Sequence, residues 1–180
     1  GEGDYQLQLD IERKDTLSVN NEKNDDRNRL GGDVCEITWN TDSIYISGDW
    51  ETPAIAEWLL KIKKIKDGSV SEFRKNYAKK MKYHYHDEGY SEEYLDQLYK
   101  YSEYYIANTS NDLIKLAIQN NDLLEYSIEE RSEKNGFYDI LGIGCVIDHH
   151  FTVFQWIYID RVTQKIYEYD LTNHDLKEFQ

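Results

Sequence analysis

Apolar and polar positions are patterned most clearly toward the end of the chain, where 137–148, 151–160 and 166–171 are rich in Ile, Val, Phe, Trp and Tyr. In the middle run Phe151, Val153, Ile157 and Ile159 share the odd positions, and Phe154, Trp156 and Tyr158 the even ones. Apolar groups on both faces describe a strand covered on both sides and interior to its sheet. The five residues 161–165 suit a hairpin loop, so the three runs predict an antiparallel meander.

Earlier in the chain, Tyr5, Leu7, Leu9 and Ile11 alternate with polar residues and predict a half-buried strand. Residues 14–33 are polar, end in Gly31-Gly32 and read as a long loop. Two strands, 34–39 and 43–47, are expected around Asn40-Thr41-Asp42. Thr52-Pro53 is a helix-start signal. It precedes Ile55, Trp58, Leu59, Ile62 and Ile65 at helical spacing.

A second helix is expected from Ser71 through Phe73, Tyr77, Met81 and Tyr85, ending at Asp87-Glu88-Gly89. A third opens at Ser91, with Glu92 and Glu93 favourably placed in its first turn. A fourth starts at Ser110 or Asn111 and uses Leu113, Leu116, Ala117, Leu124 and Ile128, with Asn120-Asn121 able to split it. Together these predict a single α+β domain over 1–180. Its antiparallel sheet of about five or six strands combines N-terminal strands with the C-terminal meander, and three or four inserted helices pack on one face.

Charge changes the picture more than composition does. The formal net charge is −14, which disfavours nucleic acid and anionic membrane and favours a basic protein partner. Residues 58–86 run the other way, with nine Lys and Arg against Asp67 and Glu72. These cations are either the solvated faces of two helices or a face for an anionic partner. The acidic surroundings oppose nucleic acid beyond a Debye length of roughly 8 Å. Tyrosine is abundant, 16 residues against 5 Phe, and its apolar ring with a polar tip suits sheet faces and interfaces. No apolar run is long enough for a transmembrane helix. The opening Gly-Glu-Gly-Asp, with no Met before Met81, fits the processed end of an exported protein slightly better than a cytoplasmic one.

Candidate chemistry is sparse. His84, His86, Asp148, His149 and His150 carry a donor set that would suit zinc, the one cofactor to consider. Spacing works against it. On a helix His84 and His86 diverge by about 200°, and on a strand His149 and His150 point to opposite faces. Cys145 and His149, four strand residues apart, would be separated by about 13 Å, too far for a nucleophile and its base. Cys35 lies in a strand pattern beside Glu36, where its thiol would not be activated. Gly142-Ile143-Gly144 lacks the third glycine of a nucleotide loop and reads as a bend or bulge.

The expectation is therefore a non-enzymatic acidic binding protein that engages a protein partner, either inhibitor-like or immunity-like, or an exported accessory protein. Trp50, Tyr99, Tyr101, Tyr104 and Tyr105 are its candidate aromatic anchors. One alternative is a small-ligand-binding domain with an aromatic pocket between sheet and helices, lined by Phe154, Trp156, Tyr158 and Tyr167. The other is a metal-dependent hydrolase using His84, His86, His149 and His150.

Overall fold

A computed structural model describes residues 5–10, 16–21, 30–44, 54–84, 89–133 and 136–179. The chain is α+β and divides into two units, Gly1–Ser71 and Glu72–Gln180. In the first, β1 (Tyr5–Asp10), β2 (Thr16–Asn21), β3 (Val34–Ile44) and β4 (Ala54–Lys66) form one sheet in the order β1-β2-β4-β3. Strands β2 and β4 run parallel, while β1–β2 and β3–β4 are antiparallel.

Three expectations are corrected here. Residues 16–21 form a strand inside the stretch read as a loop. β3 continues through Asn40-Thr41-Asp42 instead of turning, because these residues pair with Trp58, Glu57 and Ala56 of β4. The stretch from Ile55 to Ile65 is strand rather than helix. Register shifts leave Leu60 and Ile65 without partners on β3, and each extra residue moves the two-residue alternation by one place. The apolar positions then fall at three- and four-residue intervals, which imitates a helix.

Asp33 fastens the far end of this sheet. Its side chain is 1% exposed and lies 3.3 Å from the Lys64 ammonium. The Gly68 N–H and the Ser71 hydroxyl donate to Oδ1 at 2.8 and 2.6 Å, and the Leu30 N–H donates to Oδ2 at 3.3 Å. Gly68 permits the approach: a Cβ there would sit 2.3 Å from the Gly32 carbonyl carbon. Burial alone would raise the Asp33 pKa, but the donors Gly68, Ser71, Leu30 and Lys64 together bring it down to about 2.

The second unit continues from α1 (Ser69–Asn76), within which the division falls. β5 (Lys82–His84), α2 (Glu92–Asn108), α3 (Asp112–Gln119), β6 (Leu124–Glu133), β7 (Gly136–Ile147), β8 (His150–Asp160), β9 (Ile166–Asp170) and β10 (Asp175–Glu178) follow. The strands make a six-stranded sheet ordered β10-β9-β8-β7-β6-β5. The antiparallel meander is present as β7–β8–β9, extended by β10, with β8 interior. The sheet is mixed rather than purely antiparallel, because β5 pairs parallel to β6. The N-terminal strands do not join it; they hold a sheet of their own.

Local signals explain the helix ends. Ser91 caps α2 by accepting from the Tyr94 N–H at 3.2 Å, and Asn111 caps α3 by accepting from Leu113 and Ile114 at 3.0 and 3.2 Å. Asn121 takes a left-handed φ of 57°, and the Asp122 N–H returns to the Ala117 carbonyl at 2.8 Å. That closing turn ends α3 at the Asn pair. Leu124 and Ile128, expected on the same helix, therefore belong to β6, with Tyr126 between them on the same face. Asp148 and His149, at φ 48° and 68°, make the two-residue turn between β7 and β8. Another register shift falls between Ile143 and Gly144, so the glycine pair does mark a bulge. A Cβ on Gly144 would lie 1.9 Å from the Thr152 carbonyl oxygen.

Helices and sheet meet around Leu98, Tyr105, Ile106 and Ile114 on one side and Leu124, Tyr126, Leu141, Ile143, Ile157 and Ile159 on the other. Tyrosine hydroxyls tie the layers. Tyr94 donates to Asp139 Oδ1 at 2.5 Å, where the Arg161 Nε also donates at 2.8 Å. Tyr105 donates to Glu168 Oε1 at 2.6 Å and accepts from Thr109 at 3.0 Å. Tyr77 donates to the Asp122 carbonyl and accepts from the Leu124 N–H, both at 2.8 Å. Among the described residues, no helix is long and apolar enough to cross a membrane.

Each unit has its own expected pH limb. Asp33 has a depressed folded pKa, so its stabilisation is full above the ordinary carboxylate pKa near 3.9 and is lost as pH falls through about 2. Asp33→Asn should cost on the order of 2 kcal/mol at neutral pH and progressively less in acid. Equilibrium unfolding followed by tryptophan fluorescence, variant against wild type, measures this. Burial raises the Tyr94 and Tyr105 phenols, and Asp139 and Glu168 push in the same direction. A raised folded pKa stabilises below the ordinary phenol value near 10 and is lost above it. The urea midpoint should hold steady up to about pH 9 and fall from about pH 10 upward, less steeply in Tyr94→Phe and Tyr105→Phe.

Candidate functional site

Between α1, the segment leading into β5, and α2 lies a cleft of about 560 Å³, within the range of small-molecule sites. Its walls are held from several directions. Arg74 on α1 makes a bidentate pair with Glu103 on α2, both bonds 2.6 Å long. Phe73 and Tyr77 stack at 5.2 Å, one helical turn apart. Tyr77 is fixed in turn by its two backbone bonds beyond α3. Burial raises the Tyr99 phenol pKa and the Met81 backbone acts on its hydroxyl to lower it, which relates the strand entry to α2. Ala78, Lys79, Lys80, Tyr83 and Asp96 complete the lining.

The polar groups of the cleft are unequally engaged. The Glu103 carboxylate beside Arg74 holds that guanidinium's pKa up, against the effect of burial. Lys79 donates to the Asn121 carbonyl. Lys80 and Asp96 have no ion-pair partner among the described residues. Behind the aromatic wall sits Tyr126 of β6, which is 0% exposed. Its ring lies 5.7 Å from that of Tyr83 and 6.5 Å from that of Tyr99. Its hydroxyl is buried and, among the described residues, has no hydrogen-bond partner. Burial raises this phenol's pKa, and Tyr83, Tyr99 and Asp96, which all line the cleft, raise it further.

The residues proposed for a ligand pocket do not share a surface. Phe154, the β8 residue skipped in the register with β7, packs on the helix-side core, and this bulge leaves Trp156 and Tyr158 on the opposite face of the sheet. There Trp156 lies across Gly142, where an added Cβ would meet its ring at 2.7 Å. Tyr158 and Tyr167 join Tyr138 and Tyr169 in a chain of ring contacts at 5.6–6.2 Å. That face is an aromatic network, and only Phe154 stands between sheet and helices.

Of the aromatic partner anchors, Tyr99 lines the cleft and Tyr101 packs half-buried against the core. Tyr104 is exposed and meets the Phe179 ring edge-on. Tyr105 is 0% exposed, so it is interior and offers nothing to a partner. Trp50 lies outside the described residues, as does His86. His84 stands on β5 with Nε2 2.5 Å from the buried Glu125 carboxylate and its ring against Phe151. Asp148 and His149 are exposed at the β7–β8 turn rather than along a strand. Among the described residues, no three His, Cys, Asp or Glu gather as a metal site. Cys145 is buried, which pushes its thiol upward and away from reactivity.

The basic segment also divides. Lys61, Lys63, Lys64 and Lys66 lie on β4, while Arg74, Lys79 and Lys80 reach the cleft. That run of charge and Tyr99, read as an aromatic anchor, were the sequence signals pointing here. Tyr77, Met81, Tyr83, Asp96, Glu103 and Tyr126 were not singled out as site residues, because nothing in their spacing shows that they converge. No family model, curated protein or solved structure matches the chain.

The Arg74–Glu103 pair should matter for the integrity of the cleft. The Glu103 side chain is 5% exposed, so Arg74→Met strands a buried carboxylate and should cost about 3 kcal/mol. Chemical denaturation should show most of that loss restored in Arg74→Met combined with Glu103→Leu, since the unpaired charge is then gone.

Proposed function

We propose that this chain is a non-enzymatic binding protein whose site is the cleft between α1, β5 and α2, and that its partner is a small ligand carrying an apolar, ring-like body. The supporting observation is a concave, aromatic-lined space whose walls are cross-braced by Arg74–Glu103 and by Tyr77. A braced cavity loses little conformational freedom on binding, so the contacts it makes contribute to affinity rather than to ordering the site. The protein-partner reading has separate support in the acidic exterior, 20 acids against 12 bases over 72–180. It requires a basic partner whose affinity falls steeply with salt.

Met81 makes the cleft easy to watch. It is the chain's only Met, is 5% exposed and lines the space. A ¹³C-methyl label on Met81 should move saturably when small aromatic compounds are titrated in. Ala78→Trp, at an exposed lining position, should fill the cleft and remove the response while leaving the circular dichroism unchanged. A Met81 methyl that ignores every compound, in a folded wild-type protein, would end this reading.

A further inference from the structure

We infer that the cleft selects an anionic oxygen group, a carboxylate or phosphate on an aromatic body, with the Tyr126 hydroxyl and the Lys80 ammonium as its two donors. This rests on the cleft being the binding site and adds the chemistry of the ligand. The first observation is the unpartnered Tyr126 hydroxyl, fully buried in a structure where Tyr77, Tyr94 and Tyr105 all place theirs. An unpaired buried donor is costly, so a ligand that supplies an acceptor gains that cost back. The rings packed nearest it identify the direction of approach, since Tyr83 at 5.7 Å and Tyr99 at 6.5 Å both line the cleft. Tyr83, at 40% exposure on β5, is the nearer of the two covering rings.

The second observation is the balance of cations. Arg74 is neutralised by Glu103 and Lys79 is held by the Asn121 carbonyl. Lys80 is the lining cation left without such a partner among the described residues. Its flexible stem lets the ammonium follow a bound anion. Asp96 lines the same cleft, so it disfavours a second negative group and suits a ligand with one anionic end. The ligand's ring would then rest against Tyr99 and Met81.

Four probes test this through the Met81 methyl: phenyl phosphate, benzoate, benzyl alcohol and benzylamine. Both anions should bind about tenfold tighter than the alcohol, the amine should be weakest, and the tighter anion identifies the natural group. Tyr126→Phe should lose about tenfold in affinity for the anions and leave the alcohol unchanged. Its melting temperature should be equal to or above wild type, because an unsatisfied hydroxyl is removed. Lys80→Gln should show the same selective loss. Equal binding of alcohol and anions, or undiminished anion binding by Tyr126→Phe, would overturn the inference and leave the cleft as the site. Silence from all four probes would overturn both.

Discussion

The second unit depends on one rule of solvation, to which Tyr126 is the exception: the cost of burying a tyrosine is offset by giving its hydroxyl a partner. An unpaired buried hydroxyl costs about 1–3 kcal/mol, enough to cancel a useful share of what its ring contributes. The chain uses Tyr where other proteins use Phe or Leu, 16 against 5 Phe, so the rule applies repeatedly. Tyr94 meets it through Asp139, Tyr105 through Glu168 and Tyr77 through two backbone groups. Each bond joins a helix or its exit to the sheet or to the chain entering it. The apolar contacts have no preferred direction, so these hydroxyls are what fix how the helices lie.

Asp139 shows what the rule asks of the sheet. A carboxylate at 8% exposure on β7 would be destabilising alone, but it accepts from Tyr94 and from Arg161 at once. Glu168 and Glu103 are held similarly, by Tyr105 and Arg74. The acids of this chain are thus of two kinds. Most are surface charge, while a few carry the fold as acceptors for tyrosine and arginine. The count of 35 acids hides that distinction, and only the topology reveals which are which.

This is also where reading the sequence reaches its limit. The β7–β8–β9 meander was legible because its alternation spans whole strands, and α2 because Ser91, Glu92 and Glu93 announce its start. β4 was hidden by the bulges at Leu60 and Ile65, which turn a two-residue rhythm into a false helical one. β6 was hidden because Leu124 and Ile128, four apart, satisfy a helix and a strand equally. The site was less legible than the fold. Tyr99 and the basic run containing Arg74, Lys79 and Lys80 were visible, but their convergence with Tyr83 and Tyr126 depends on one long-range pairing.

That pairing is β5 beside β6, parallel, with Tyr83 opposite Tyr126. A parallel pair cannot be closed by a tight turn, so the chain must cross over, and the crossover carries α2 and α3. The same topological demand therefore delivers Tyr99 on α2 and Tyr83 on β5 to the ring of Tyr126. The three described residues of β5 are all exposed, and Tyr83 is the one set opposite Tyr126. The phenol is thus shielded by the rings of Tyr83 and Tyr99 and, among the described residues, left without a hydrogen-bond partner, while those same two rings line the cleft and its cations.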